Sequence, residues 1–348
     1  MSYVRISGWG MAVPNRIVTN AELAQEVPGV DEEWIVRRSG ISERRIAGPT
    51  ETTSSLATAA ARSALARAGL AAEEIDLIIV ATCTPDRLIP STAPLVQAAL
   101  GATRAGAFDV NAACAGFLTA LAAAEAMVRT GSVRRALVIG AEVMSRFLDR
   151  SDPKTSVLFG DGAGAVVIER SDEPAGLLSL ELGADGTGAS LIEVPAGGSA
   201  RPTSAETVAA GEHAIRMNGP EVYRAAVRVM AEAAERAATR AGFKASDADL
   251  LIMHQANQRI IDEVGVRVGI TPDRVFSNVA RYGNTSAASV PIAMCEAADA
   301  GLLRPGSRLV VTAIGAGLTW VAGVLLWTAE TVSSEPTQEL VGVSRGER

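Results

Sequence analysis

Arg67-Ala-Gly69-Leu-Ala-Ala-Glu-Glu-Ile-Asp76-Leu-Ile-Ile-Val80 and Arg240-Ala-Gly242-Phe-Lys-Ala-Ser-Asp-Ala-Asp249-Leu-Leu-Ile-Met253 share one pattern at a separation of 173 residues. Each copy follows an Ala-rich stretch of helical composition, Ser54–Ala68 or Glu221–Ala241. Each places Gly where a helix would need a left-handed C-terminal residue, then turns into a short apolar strand. A period this long is no solenoid; it predicts a duplicated α/β half-domain in which helices alternate with buried strands. The match continues weakly from Gly131–Gly140 to Gly306–Gly315. Leu309 to Trp327 is uncharged and long enough for a membrane span. Its glycines Gly315, Gly317 and Gly323 and its β-favouring residues instead predict two buried strands joined by a turn. The expected division is an N-terminal half at 1–171, a Gly/Pro/Ser-rich crossover at 172–210, a C-terminal half at 211–330 and a polar tail at 331–348.

Composition narrows the function. The chain has 348 residues, 48% hydrophobic and 20% charged, which excludes disorder as a description of the whole. Its 32 basic and 39 acidic residues leave a net charge of −7, so no global nucleic-acid footprint is expected. Three scattered cysteines, Cys83, Cys114 and Cys295, argue against a disulfide framework or a thiolate metal site. With no signal-like start, they fit a cytoplasmic protein. Only two histidines, His213 and His254, are present, which disfavours chemistry needing a His cluster.

Chemistry in α/β folds collects where strand ends meet helix starts. Phe108-Asp-Val-Asn-Ala-Ala-Cys114-Ala-Gly-Phe reads as such a junction. A cysteine in a first helical turn has its thiolate favoured by the helix dipole and free N–H groups; the alternative is an inert cysteine in a tightly packed helix. Cys83 and Cys295 lack that setting and read as core. In the second half a strand runs directly into His254-Gln-Ala-Asn257, and Tyr282-Gly-Asn284-Thr-Ser-Ala-Ala-Ser repeats the pattern of turn and small-residue helix start. Adding the repeat interval to Cys114 gives 287, so Asn284 is expected near the mirror position of Cys114. Gly160-Asp-Gly162-Ala-Gly164 precedes a strand-like run, Ala165–Glu169, and therefore reads as close backbone packing, not as a dinucleotide loop.

At these residues the sequence resembles the β-ketoacyl-acyl carrier protein synthase III family of condensing enzymes. The carriers are Val110–Phe117, His254–Asn257 and Gly283–Ser289, with Trp34–Ile41, Phe159–Ala165 and Gly315–Trp320 in support. The resemblance spans about residues 3 to 327. It implies a dimeric enzyme with the duplicated thiolase-like fold, five layers ordered α/β/α/β/α. It implies acyl transfer from acyl-CoA to Cys114, followed by decarboxylative condensation with malonyl-acyl carrier protein assisted by His254 and Asn284, starting fatty acid or polyketide chains. The backbone N–H groups of Cys114 and Ala316 then serve the oxyanion. No separate cofactor and no metal is implied, CoA entering as the substrate thioester.

Further contacts carried over are Trp34, Arg38, Asn257 and Gly219 for CoA and Ile89 and Ile314 for the acyl pocket. Arg224, Arg228, Arg259 and Arg267 would form a basic face for an acidic carrier protein. The family's frequent second adenine-stacking position falls on Pro153, between Arg150 and Lys154. Ile89 and Ile314 replace frequent aromatics, which points to starters longer than acetyl or branched. Asn284 argues against a long-chain condensing enzyme, which needs His there, and Gly315-Ala-Gly317 lacks the cysteine a thiolase needs. The remaining alternatives are a synthase III-like enzyme of secondary metabolism with an unusual acyl donor, and an inactive scaffold subunit.

Overall fold

A computed structural model describes residues 3–330 of the chain. The polar tail expected at 331–348 lies outside the described residues. The first half contributes β1 (Tyr3–Ala12), β2 (Leu77–Ala81), β3 (Gly106–Val110), β4 (Arg135–Val143) and β5 (Asp161–Ser171), arranged β1-β5-β4-β2-β3. The second contributes β6 (Gly176–Ala184), β7 (Leu250–Met253), β8 (Val275–Phe276), β9 (Arg308–Gly315) and β10 (Thr319–Leu326), arranged β6-β10-β9-β7-β8. Every strand of one sheet thus has its counterpart five strands later. Pairing agrees as well: β2 is parallel to β3 and β4, β7 is parallel to β8 and β9, and the remaining neighbours are antiparallel.

Alternation along the strands builds three cores between five layers. Leu77, Ile79 and Ala81 face the central core with Leu250 and Ile252, whereas Ile78 and Val80 face one outer core and Leu251 and Met253 the other. Covered on both faces, such strands read as unbroken apolar runs. Helix α1 (Thr53–Ala68) covers the outer face of the first sheet. Between the sheets lie α2 (Gly116–Arg129) and α4 (Ser289–Asp299), while α3 (Gly219–Arg240) covers the second sheet. After α1 and α3, Gly69 and Gly242 take the left-handed φ of 67° and 83° that their places in the repeat required. Among the described residues no helix is long and apolar enough to cross a membrane, and Leu309–Trp327 contains the β9–β10 hairpin.

Two expectations need correction. Residues 172–210 are not only a crossover, because β6 lies within them and forms the edge of the second sheet. The dense Gly and Ser that suggested a connection belong chiefly to the segment after that strand. Second, the glycines of 131–140 and 306–315 are not equivalent. Leu77 pairs with Ala136 and Leu250 with Leu309, which restores the 173-residue interval and displaces the glycine alignment by two. A slip of two preserves which face each side chain occupies, so apolar pattern alone did not reveal it.

The alternating glycines around β5 do mark close packing. A Cβ at Gly164 would stand 2.7 Å from Ile292 N and 2.8 Å from Pro291 Cβ, both on α4. One at Gly160 would stand 2.2 Å from Tyr282 O. Gly164→Val is therefore expected to push α4 off the sheet and to cost about 3 kcal/mol, the upper range for overpacking. Urea unfolding measures it; an unchanged midpoint would refute this seating of the helix.

Candidate active site

Two matching elbows bring the chemistry together. Ahead of α2, Ala113 adopts φ 45°, and ahead of α4, Ser286 adopts φ 48°; these non-glycine left-handed residues are again 173 apart. Each is held by an asparagine two residues earlier. Asn111 Oδ1 accepts from Ala113 N at 3.2 Å, and Asn284 Oδ1 accepts from Ser286 N at 2.8 Å. The duplication therefore pairs Asn284 with Asn111, not with Cys114 as expected; the counterpart of Cys114 is Ala287. Asn284 is fixed further, its N–H donating to Leu158 O at 2.8 Å and its carbonyl accepting from Gly160 N at 3.0 Å. With Oδ1 engaged, the amide presents Nδ2 as its free donor.

Cys114 follows its elbow immediately and is partly open to a cavity of about 970 Å³ that His254, Asn284, Ile314 and Ala316 also line. A sulfur from the first half and two polar side chains from the second thus share one chamber. The Gly315 backbone presses on the Cys114 turn, where a Cβ would stand 2.6 Å from Cys114 N. Thr319 Oγ1 ties the same loop down through Ala112 O at 3.3 Å and Ala316 O at 3.2 Å. As a residue at a helix start, Cys114 has a backbone N–H without an acceptor one turn earlier.

His254 continues β7, its N–H donating to Thr312 O at 2.9 Å, and its side chain is buried. Nδ1 lies 2.7 Å from Ser289 Oγ, which accepts from Gln255 N at 3.3 Å. We assign the hydroxyl hydrogen to Nδ1, which leaves the ring proton on Nε2. Burial lowers the imidazole to about 4, so at neutral pH it is an uncharged donor. Burial pushes the Cys114 thiol up to about 12, and the nearby Glu142 charge adds to the rise.

The other anticipated residues divide. Trp34, Arg38, Gly219, Arg224 and Arg259 line the same cavity. The Arg38 guanidinium lies 5.1 Å from the Trp34 ring centre, and Arg259 lies 5.2 Å from that of Tyr223. Asn257 also lines it, yet its amide caps the helix Gln258–Arg267 by accepting from Arg259 N at 2.9 Å and donating to Arg38 O at 3.0 Å. Pro153 and Lys154 reach the wall, while Arg150 pairs with Glu26 at 3.0 Å. Ile89 is 87% exposed and away from the lining. Arg228 and Arg267 stand apart from the lining, paired within their own helices to Glu232 and Glu263.

Sequence reasoning missed a buried cluster under the thiol. Cys83, expected in the core, lines the cavity, and its Sγ donates to Glu142 Oε1 at 3.2 Å. Glu142 is fully buried in β4 and accepts from Thr82, Thr84 and Ser286 hydroxyls at 3.1, 2.5 and 3.0 Å. A lone carboxylate in Ala136-Leu-Val-Ile-Gly-Ala-Glu-Val143 was the available signal, since unpaired acids rarely enter buried strands. Ser286 and Ser289 looked only like small residues at a helix start.

The chain is similar to known proteins over nearly its whole length. Residues 108–186 match the family model described as 3-oxoacyl-[acyl-carrier-protein] synthase III, and residues 238–327 match its C-terminal model. A β-ketoacyl-[acyl-carrier-protein] synthase III of Roseiflexus castenholzii is 52% identical, over 94% of this chain and 99% of that protein. The crystal structure of 3-oxoacyl-[acyl-carrier-protein] synthase III from Aquifex aeolicus superposes with a TM-score of 0.86 at 42% identity, covering 93% of this chain and 100% of that one. The priming β-ketosynthase of the R1128 polyketide pathway superposes at 0.87 with 36% identity, covering 94% and 97%.

Proposed function

The chain belongs to the β-ketoacyl-[acyl-carrier-protein] synthase III family, thiolase-like acyltransferases that condense an acyl-CoA with malonyl-acyl carrier protein, and from that premise we propose how its residues divide the work. Cys114 Sγ attacks the acyl-CoA carbonyl, and CoA departs as its thiol, leaving an acyl-cysteine thioester. Malonyl-acyl carrier protein then loses carbon dioxide, and the enolate oxygen is held by His254 Nε2–H and Asn284 Nδ2–H. The enolate carbon attacks the acyl-cysteine carbonyl, whose oxyanion is held by the N–H groups of Cys114 and Ala316. Collapse frees Cys114 and yields the β-ketoacyl product.

The observation that carries this division is the convergence of Cys114, His254 and Asn284 on one cavity, with both donor side chains oriented by their other atoms. Trp34 and Arg38 support a nucleotide site at its mouth, and Arg224 with Arg259 supports docking of an acidic carrier. Arg228 and Arg267 stay in the proposed face, since their exposed ion pairs to Glu232 and Glu263 are weak enough for an acidic partner to displace. We read the protein as a cytoplasmic homodimer, to which the exposed Leu88 and Ile89 lend an apolar surface.

The likeness to a polyketide priming enzyme favours a second reading, a secondary-metabolic role with an unusual starter. Mass spectrometry after incubation with acetyl-, isobutyryl- and octanoyl-CoA addresses both. An adduct on Cys114 that malonyl-carrier protein discharges as a β-ketoacyl product is expected, with the longer or branched donors loading well. Strict acetyl loading would overturn the proposed pocket preference.

A further inference from the structure

We propose that Ser286 and Glu142 form the proton relay that activates Cys114. The inference rests on Cys114 being the nucleophile. The Cys114 thiol donates to Ser286 Oγ at 3.4 Å, and Ser286 Oγ donates to Glu142 Oε1 at 3.0 Å. A hydroxyl has one hydrogen, so a Ser286 committed to the carboxylate turns only lone pairs toward the sulfur. His254 is poorly placed for this work, its Nδ1 held by Ser289 and its ring proton carried on Nε2.

Glu142 is built as an acceptor. Besides the Thr82, Thr84 and Ser286 hydroxyls and the Cys83 thiol, it receives the N–H groups of Cys83 at 3.1 Å, Thr84 at 3.0 Å and Ala287 at 3.4 Å. None of these is a cation. The titratable groups facing the relay are Cys83, from the turn after β2, and Cys114 itself. Cys83 Sγ also lies 3.7 Å from Ser286 Oγ, and its pKa is raised well above the ordinary thiol value, so it stays protonated. Burial raises the Glu142 carboxyl as well, making it a stronger base than a surface carboxylate. A thiolate beside an ionised Glu142 would place two negative charges in one dry site. Moving the proton along the chain avoids that.

The step balances internally. The Cys114 S–H bond breaks as Ser286 Oγ takes that proton and passes its own to Glu142 Oε1. The new S–C bond forms at the thioester carbonyl and the bond to the CoA sulfur breaks. The proton then returns from Glu142 through Ser286 to the departing CoA sulfur.

Single-turnover loading of Cys114, followed by mass spectrometry with whichever of the three acyl-CoAs loads the wild-type chain fastest, tests this beside carbon dioxide release from malonyl-carrier protein. Ser286→Ala is expected to slow loading by about 100-fold, within the range for general base catalysis, and to slow it far more than decarboxylation. Glu142→Gln is expected to show the same selective loss; if its crowded site does not fold, Ser286→Ala decides. Loading by Ser286→Ala at the wild-type rate, or equal loss in both half-reactions, overturns the relay. Failure of the wild-type chain to load on Cys114 overturns instead the assignment of the nucleophile.

Discussion

Cys114→Ala is expected to form no acyl adduct and to lower condensation by about 10⁴-fold or more, the scale on which nucleophile deletions act. Position decides this. Cys83 lines the same chamber, but its thiol donates to Glu142 and lacks the elbow and helix start that set Cys114 on the cavity wall. Cys295 is fully buried in α4. Neither substitutes. The variant should still release carbon dioxide from malonyl-carrier protein, because the two enolate donors are intact, so the half-reactions separate in one protein. Intact-mass measurement after acyl-CoA incubation, paired with carbon dioxide release, checks both outcomes. An adduct on Cys114→Ala would remove the sulfur from its assigned role.

Loss of either donor is expected to act on the other half-reaction. His254→Ala and Asn284→Ala should each slow decarboxylation by about 10²- to 10³-fold, or roughly 3–4 kcal/mol of lost enolate stabilisation. Asn284→Asp is the sharper variant. It retains an oxygen to accept from Ser286 N, so the elbow survives, while the Nδ2 donor is replaced by an acceptor. It should therefore decarboxylate about as poorly as the alanine variant and yet load Cys114 at close to the normal rate. Since His254 titrates at about 4, the decarboxylation rate should show no histidine ionisation across about pH 6 to 8. A bell-shaped profile in that window that vanished in His254→Ala would show that the imidazole is not held neutral.

Much of this was legible because covalent punctuation survives duplication. Gly69 and Gly242 mark helix ends whose backbone only glycine accepts cheaply, and unbroken apolar runs mark strands buried on both faces. The three positions that converge on the cavity, Cys114, His254 and Asn284, were legible too, since strand ends and small-residue helix starts leave a written trace. What stayed hidden was relative alignment. The glycine match near β9 erred by two, and the mirror partner of Asn284 proved to be Asn111, because pattern constrains faces more tightly than offsets. Glu142 stayed hidden for another reason. Its partners Thr82, Cys83, Thr84 and Ser286 come from segments far apart in the chain, and only folding gathers them around one carboxylate.

The paired elbows have a genetic meaning. Two separate identical subunits meeting about a twofold axis must display the same residues at both turns: a thiol twice or not at all, and likewise a hydroxyl. Joining the copies in one polypeptide lifts that obligation. Sulfur stands after Ala113 and a hydroxyl at Ser286, each without its twin across the pseudo-axis. One turn can then give a proton and the other take it.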